Sequence, residues 1–140
     1  HTKKAVCLID LDTVMPGAIA YDFGEAIRTC ISRTKEDEED LSKIKIEMDR
    51  FEAFTKGFLE KLKNTLTKKE KEQLVLGAWM MTYENAIRFL TDYLNGDTYF
   101  HVDENIENHN LIRTASQAEI LRQIEEKQSE MEGMINKYGL

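Results

Sequence analysis

The chain has little proline, little cysteine and no excess of positive charge. Of its 140 residues one is proline and two are cysteines, Cys7 and Cys30, which lie in apolar surroundings without C-x-x-C spacing. No disulfide framework is therefore expected, and both thiols are predicted to be reduced and buried, as in a cytoplasmic protein. The formal net charge of -7 argues against a nucleic-acid partner, because phosphate groups require a basic surface.

Long apolar runs are also missing. No stretch approaches the roughly 20 apolar residues that span a bilayer, and no signal peptide opens the chain, so no membrane partner is expected. Charged residues make up 32% of the chain and apolar residues 41%, which is typical of a mainly helical protein with solvated helix faces. The length fits one domain, residues 1–140. Because the chain starts at His1 and enters an apolar run at once, we expect a fragment of a larger protein.

The predicted fold is mainly α, with a short N-terminal β-strand followed by about four helices. The β-branched and apolar run "AVCLI", residues 5–9, predicts a buried strand, and Pro16 with Gly17 predicts a turn after it. Residues 1–15 would then form a strand and metal-site turn, and residues 16–140 a helical subdomain. Helices are predicted over about residues 21–32, 49–62, 67–95 and 108–137.

Local signals support these helices. Asp49 with Glu52, and Thr67 with Glu70, have the spacing of capping boxes. Residues 74–90, "LVLGAWMMTYENAIRFL", are apolar nearly all round and predict the core helix. The last helix is expected to pack on that core helix through an apolar stripe of Leu111, Ala115, Ala118, Leu121, Ile124, Met131 and Ile135.

Three aspartates lie near the predicted strand. Asp10 and Asp12 form D-x-D-x-V, the nucleophile motif of haloacid-dehalogenase phosphatases. That chemistry needs a doubly wound parallel sheet, whereas almost only helices are predicted after Asp12, so the phosphatase is a weaker alternative. Asp22 stands in a literal D-F-G, but it enters a helix after a Pro-Gly turn. There a carboxylate can meet free backbone N–H groups and the helix dipole, so Asp22 is expected to be structural.

Arg88 lies within the predicted core helix. Glu84 and Asp92 stand four residues before and after it, so all three share one helix face. One interpretation is a buried arginine paired with these carboxylates. The other is a clamp for the hydroxyl or acetamido oxygens of a sugar, since the planar guanidinium recognises oxygen pairs.

Three segments together resemble a known superfamily. "CLIDLDTVMPGAIAYDFGEAIR", "FEAFTKGFL" and "MTYENAIRFLTDYLNGDTYF" are similar to the part that follows the catalytic loop in the aminoglycoside-phosphotransferase and choline-kinase superfamily, most of all in its sugar-kinase branch, which includes N-acetylhexosamine 1-kinases. The resemblance extends from Ala5 to about Arg113. It implies the C-terminal, mostly helical part of a protein-kinase-like fold, in an ATP- and Mg²⁺-dependent kinase of a sugar or amino sugar.

The resemblance also implies roles for particular residues. Asp10 would bind the Mg²⁺ that bridges the ATP phosphates, and Asp12 would either help with metal or substrate or cap the turn.

For the acceptor sugar, the resemblance implies contacts from Arg88 and Tyr99, with Asp97 and Asn85 as weaker candidates.

Parts of a complete kinase are not present before Asp10. No Gly-rich nucleotide loop, strand lysine or H-x-D-x-x-x-x-N catalytic loop precedes it. No catalytic residue is therefore assigned, and the chain alone is expected to be inactive. His101, Asp103 and Asn108 have the catalytic-loop spacing but follow the metal site in a polar stretch, so the match is interpreted as coincidence, with Asn108 capping the last helix.

Two further expectations concern protein partners. A strand with unpaired backbone groups, together with the apolar face near Phe23, would allow a homo-oligomer with Val6 and Leu8 at the contact. From a different functional class, the chain could be a free-standing helical interaction domain that uses its acidic last helix.

Overall fold

The computed structural model describes residues 4–139, and these residues are mainly helical, as predicted. In chain order they form α1 (Ile19–Cys30), a 3₁₀ turn (Leu41–Lys43), α2 (Met48–Leu62), α3 (Lys68–Glu72), α4 (Leu74–Leu94) and α5 (His109–Gly139). The longest helices, α4 and α5, pack on each other, α1 packs across α4, and α2 packs on α5.

The predicted N-terminal strand is wrong. Within residues 4–139 no segment is a strand, and Val6 and Leu8 are 91% and 86% exposed. A strand requires a neighbour that exchanges backbone hydrogen bonds with it, and the described part of the chain offers only helices and loops. Residues 4–18 therefore run as an exposed, irregular segment that leads into α1.

The two cysteines differ from the prediction of burial. Cys7 is exposed, because it lies on the segment that forms no strand. Cys30 at the end of α1 packs partly against the core. Burial raises the pKa of the Cys30 thiol, which keeps it protonated and weakly reactive at neutral pH.

The starts of two helices show how local signals compete with tertiary contacts. The capping box of Thr67 and Glu70 is formed, and it opens α3. The one predicted at Asp49 is not formed, because α2 begins at Met48 after Glu47, whose side chain caps nothing. Glu47 is instead held by tertiary contacts: its carboxylate accepts hydrogen bonds from Arg33, and its backbone N–H donates to the carbonyl of Ile31.

The core forms around the face of α1 that buries Phe23 and Ile27. Phe23 is fully buried, and its ring centroid lies 6.0, 5.6 and 5.1 Å from those of Phe51, Phe54 and Phe58 on α2. Ring contacts at these separations add to the stabilisation from buried apolar area. The phenylalanine of D-F-G is thus part of the core and its own side chain is not at the surface. The oligomer contact of the face near Phe23 stays a prediction.

The crossing of α1 over α4 depends on two glycines. A Cβ atom on Gly24 would lie 2.3 Å from the carbonyl oxygen of Gly77, and one on Gly77 would lie 2.1 Å from the carbonyl oxygen of Ala20. Real Cβ atoms are not found at such distances from backbone. The two helices can therefore approach this closely only without side chains at these positions.

The predicted packing of α5 is only partly correct. Ile124, Met131 and Ile135 are buried as expected, whereas Leu111 is exposed. Gln123 on the same helix is buried too, because its side-chain amide bonds the backbone at both ends of the "IKI" segment: it donates to the carbonyl of Ile44 (2.7 Å) and accepts from the N–H of Ile46 (2.8 Å). The hydrogen bonds of Gln123 thus hold α5 to the segment before α2, in addition to the contacts of the apolar stripe.

The helix α4 is not the wholly enclosed core helix that its sequence predicts. Its inward face, with Leu74, Ala78 and Phe89, is buried, while apolar side chains on the opposite face remain exposed. Among residues 4–139 no helix combines the length and apolar character needed to cross a membrane.

Candidate functional site

The loop between α4 and α5 is organised by Asp92, which lies in the last turn of α4. The carboxylate is buried and accepts backbone N–H groups from three consecutive residues. Its Oδ1 accepts from Thr98 (2.9 Å) and Tyr99 (2.8 Å), and its Oδ2 accepts from Phe100 (2.9 Å). One side chain thereby fixes the backbone that carries Tyr99 and Phe100.

A second layer of hydrogen bonds ties this loop to α5. The fully buried Asn110 donates through Nδ2 to Asp92 (2.9 Å) and to Asp97 (2.7 Å). Its Oδ1 accepts from Nη1 of Arg113, which also donates to the carbonyl of His101. The loop is therefore held from both helices that it connects.

The protonation of Asp92 follows from these contacts. Burial acts to raise the pKa of Asp92, but the hydrogen bonds from the amides of Phe100, Tyr99 and Thr98 and from Asn110 outweigh it, so the pKa lies below its ordinary value of 3.8. A depressed pKa in the folded state contributes stability that is present above the unfolded-state pKa. This contribution is lost as the pH falls through the folded-state pKa.

Replacing Asp92 by asparagine should lower the melting temperature at neutral pH and weaken its decline in acid. Four donors converge on two carboxylate oxygens, so an asparagine NH₂ group would face donors in place of an acceptor. Thermal melts of wild type and Asp92→Asn between about pH 7 and pH 3 measure both effects.

Asp97→Asn is the matched control for this experiment. Among residues 4–139 the Asp97 side chain accepts a hydrogen bond only from Asn110, and an asparagine oxygen can still accept that bond, so the melting temperature should change little. Equal melting temperatures of Asp92→Asn and wild type at neutral pH would contradict the role assigned to Asp92.

A shallow cavity of about 270 Å³ opens beside this loop. It contains two of the predicted site residues, Arg88 from α4 and Tyr99 from the loop; the other lining residues are Thr91, Asp92, Asn95, Thr98 and Phe100. The Arg88 guanidinium carbon lies 5.8 Å from the centre of the Tyr99 ring and 5.3 Å from that of Phe100. Those distances are typical of cation–π contacts, which orient the guanidinium at the cavity.

The structure excludes one of the two interpretations of Arg88. The arginine is not buried, because 44% of its side chain is exposed, and its ion pair with Glu84 spans 3.8 Å at the surface. Asp92 does not pair with it, since that carboxylate turns towards the loop amides. The interpretation that remains for Arg88 is an accessible guanidinium at the mouth of the cavity.

The two weaker sugar candidates lie outside this cavity. Asn85 is buried in α4 and donates to the carbonyl of Met81 in the preceding turn. Asp97 adopts a positive φ of 56° and accepts from Asn110. Both side chains serve local structure here, whereas Asp92, Thr98 and Phe100 line the cavity without having been predicted. Their roles depend on the folded loop, which no local sequence pattern specifies.

The aspartates of the N-terminal segment are placed differently from one another. Asp10, with a φ of 63°, and Asp12 are both exposed on the irregular segment. Asp22 lies in the first turn of α1 and is exposed, while the helix is preceded by Ala18, which makes no side-chain cap. Within residues 4–139 no group of three or more acidic, histidine or cysteine side chains is gathered as a metal site.

The residues with catalytic-loop spacing serve local turns. His101 is exposed, and Asp103 accepts the backbone N–H and the side-chain amide of Asn105, which is a turn contact. Asn108 accepts from the hydroxyl of Tyr93 (3.2 Å). The interpretation of the spacing as coincidence stays a prediction.

Comparison with known protein families adds no assignment to this geometry. No family model matches the chain.

Proposed function

We propose that the chain is the C-terminal helical part of an ATP- and Mg²⁺-dependent kinase of a sugar or amino sugar, and that the cavity at Arg88 receives the acceptor sugar. One observation carries the proposal. Arg88 and Tyr99, which the resemblance singles out as sugar contacts, are 11 positions apart in the sequence and line the same cavity. A cytoplasmic location belongs to this proposal, since ATP and reduced cysteines are both found there.

The chemistry of the cavity lining supports a polyhydroxylated ligand. Thr91, Thr98 and Tyr99 carry hydroxyl groups, and Asn95 carries an amide, so each can both donate and accept a hydrogen bond. Sugar hydroxyls likewise donate and accept. The Arg88 guanidinium adds donors in a planar arrangement, and aromatic rings offer an apolar surface for the C–H face of a sugar ring.

The metal part of the proposal rests on Asp10 and Asp12. Both are exposed carboxylates two residues apart, which suits Mg²⁺ because it usually binds one or two carboxylates and completes its coordination with water and phosphate oxygens. When bound, Mg²⁺ neutralises charge on the phosphates that are transferred.

The two alternative functions differ in how well the fold suits them. A haloacid-dehalogenase phosphatase places its aspartates at the edge of a parallel sheet. Residues 4–139 contain no strand, so Asp10 and Asp12 lack that scaffold in the described structure. An interaction domain that uses the acidic α5 is compatible with the fold, but the carboxylates of Glu119 and Glu126 are paired with Arg122 of the same helix.

Arg88→Lys should weaken the binding of N-acetylhexosamines about tenfold, since lysine keeps the charge but loses the planar pair of donors. Amide-resolved NMR titration of the chain with N-acetylglucosamine and N-acetylgalactosamine measures this affinity. Signals of residues 91–100 should move on addition of the sugar. Arg122→Lys, an exposed arginine on α5, is the matched control and should bind like wild type.

Two results would count against the proposal. One is the absence of sugar-dependent shifts in residues 88–100 at any sugar concentration. The other is equal sugar affinity of Arg88→Lys and wild type.

A further inference from the structure

One face of α4 carries large apolar side chains that the described parts of the chain leave partly exposed. Six large apolar side chains on this face are between 37% and 73% exposed. They are Leu76, Met80, Tyr83, Ile87, Leu90 and Leu94. We call this set the α4 seam.

The spacing of the α4 seam is that of a helix–helix interface. Its members follow one another at intervals of four, three, four, three and four residues, as the a and d positions of a coiled coil do. At 100° per residue they lie within an arc of about 80° on α4, directly opposite the buried side chains of Ala78 and Asn85. The α4 helix therefore has a second apolar stripe in addition to the one that faces the core.

The spacing reads the same from either end. Leu76 and Leu94, Met80 and Leu90, and Tyr83 and Ile87 form three pairs, each centred on residue 85. If a second copy of α4 lies antiparallel on the first, every member of the seam meets an apolar residue of the other copy. Self-complementarity of this kind is what a two-fold symmetric interface requires.

Charge placement selects the antiparallel arrangement over the parallel one. Glu84 and Arg88 lie on the same flank of the seam, on either side of its centre. In an antiparallel pair this flank faces itself, so Glu84 of one copy lies beside Arg88 of the other, and the contact occurs twice. In a parallel pair the flank would face that of Trp79, where the nearest carboxylate, Glu125 of α5, is already bonded by Trp79 Nε1.

We propose that the α4 seam is the interface of an antiparallel homodimer of this chain. The seam extends over 19 residues, from Leu76 to Leu94, or about 27 Å of helix. A single helix pair lies at the low end of stable interface sizes, so the dimer is reversible and depends on concentration. The two proposals share Arg88, but none of the six seam residues lines the cavity at Arg88, so a seam variant such as Ile87→Glu tests the dimer separately from sugar binding.

The first test is the mass of the protein as a function of concentration. Sedimentation equilibrium should show the monomer mass at low concentration and twice that mass at high concentration. Ile87→Glu should reduce dimer affinity by roughly 30-fold or more, because it places a charge at the centre of the interface. Leu41→Glu is the matched control: Leu41 is 41% exposed and Ile87 is 44% exposed, so it should leave dimerisation unchanged. Far-ultraviolet circular dichroism checks that both variants remain helical.

The second test establishes the direction of the helices. In a Cys7→Ser, Cys30→Ala background, a mixture of Leu76→Cys and Leu94→Cys proteins should form a disulfide-linked dimer on mild oxidation. Each protein alone should not. Cross-links within each separate protein would indicate a parallel pair and overturn the proposal. A monomer mass at all concentrations would also overturn it, as would a dimer that Ile87→Glu leaves intact.

Discussion

Gly77→Ala should lower the free energy of unfolding by about 3 kcal/mol, a large effect for the addition of one methyl group. The new Cβ would lie 2.1 Å from the carbonyl oxygen of Ala20 and 2.9 Å from its Cβ. The nearest obstacle is backbone, which cannot rotate away as a side chain can. The α1 and α4 helices would have to move apart, and the core around Phe23 would lose contacts with them.

Gly24→Ala should have a similar effect, because its Cβ would lie 2.3 Å from the carbonyl oxygen of Gly77. The double variant should be less destabilised than the sum of the two, since both clashes are relieved by the same separation of α1 from α4. Urea denaturation followed by circular dichroism measures these differences.

Two other glycines provide matched controls. In the described structure an added Cβ on Gly57 in α2 or on Gly133 in α5 would meet no atom within 4 Å beyond its chain neighbours and its own helix backbone. Alanine at either position should stabilise the protein by up to about 1 kcal/mol, because it favours helix over the unfolded chain. If Gly77→Ala and Gly57→Ala had equal effects, the close crossing of α1 and α4 would be refuted.

The helices that could be predicted from the sequence are those with local signals. The end of α4 at Leu94, followed by Asn95 as C-cap and Gly96 at a φ of 86°, depends only on neighbouring residues. The same is true of the capping box at Thr67. Whether residues 5–9 form a strand could not be predicted from neighbouring residues alone. Its composition is that of a strand, but a strand forms only with a partner, and pairing is a property of the whole fold.

In the candidate site, too, some residues could be identified from the sequence and others could not. Arg88 and Tyr99 were found because the segment that contains them resembles a known family. Asp92 was placed on the correct helix, but the sequence suggested it as an ion-pair partner of Arg88. The i, i+4 spacing of the two residues was the relation visible in the sequence. Its real partners include Asn110, 18 residues away, and three loop amides whose positions exist only after the chain has folded.

The glycine crossing was not foreseen for a related reason. Gly24 belongs to a D-F-G tripeptide, which directs attention to metal chemistry, while Gly77 stands alone in an apolar helix. Nothing in either local sequence indicates that the two residues meet. Together with the burial of Phe23, their contact shows that Phe23 and Gly24 of the tripeptide are used for packing, whereas Asp22 is exposed.

Phe23→Ala should therefore destabilise the protein by about 3–5 kcal/mol, as expected when a fully buried aromatic side chain is truncated. For a domain of this size the loss corresponds to a fall in melting temperature of roughly 10–20 °C. Phe23 contacts three rings of α2, and their positions are fixed by the helix that carries them, so the cavity cannot close completely. Phe23→Leu should cost less, because leucine fills part of the space.

Tyr99→Ala separates this effect from a general effect of removing an aromatic side chain. Tyr99 is 74% exposed, so its truncation should change the free energy of unfolding by no more than about 0.5 kcal/mol. The two variants should also differ in binding: Tyr99→Ala should weaken sugar binding in a protein that remains folded. Phe23→Ala should bind normally at temperatures where it is folded. A Phe23→Ala protein as stable as wild type would show that the D-F-G segment is not part of the core, and its phenylalanine would then need another role.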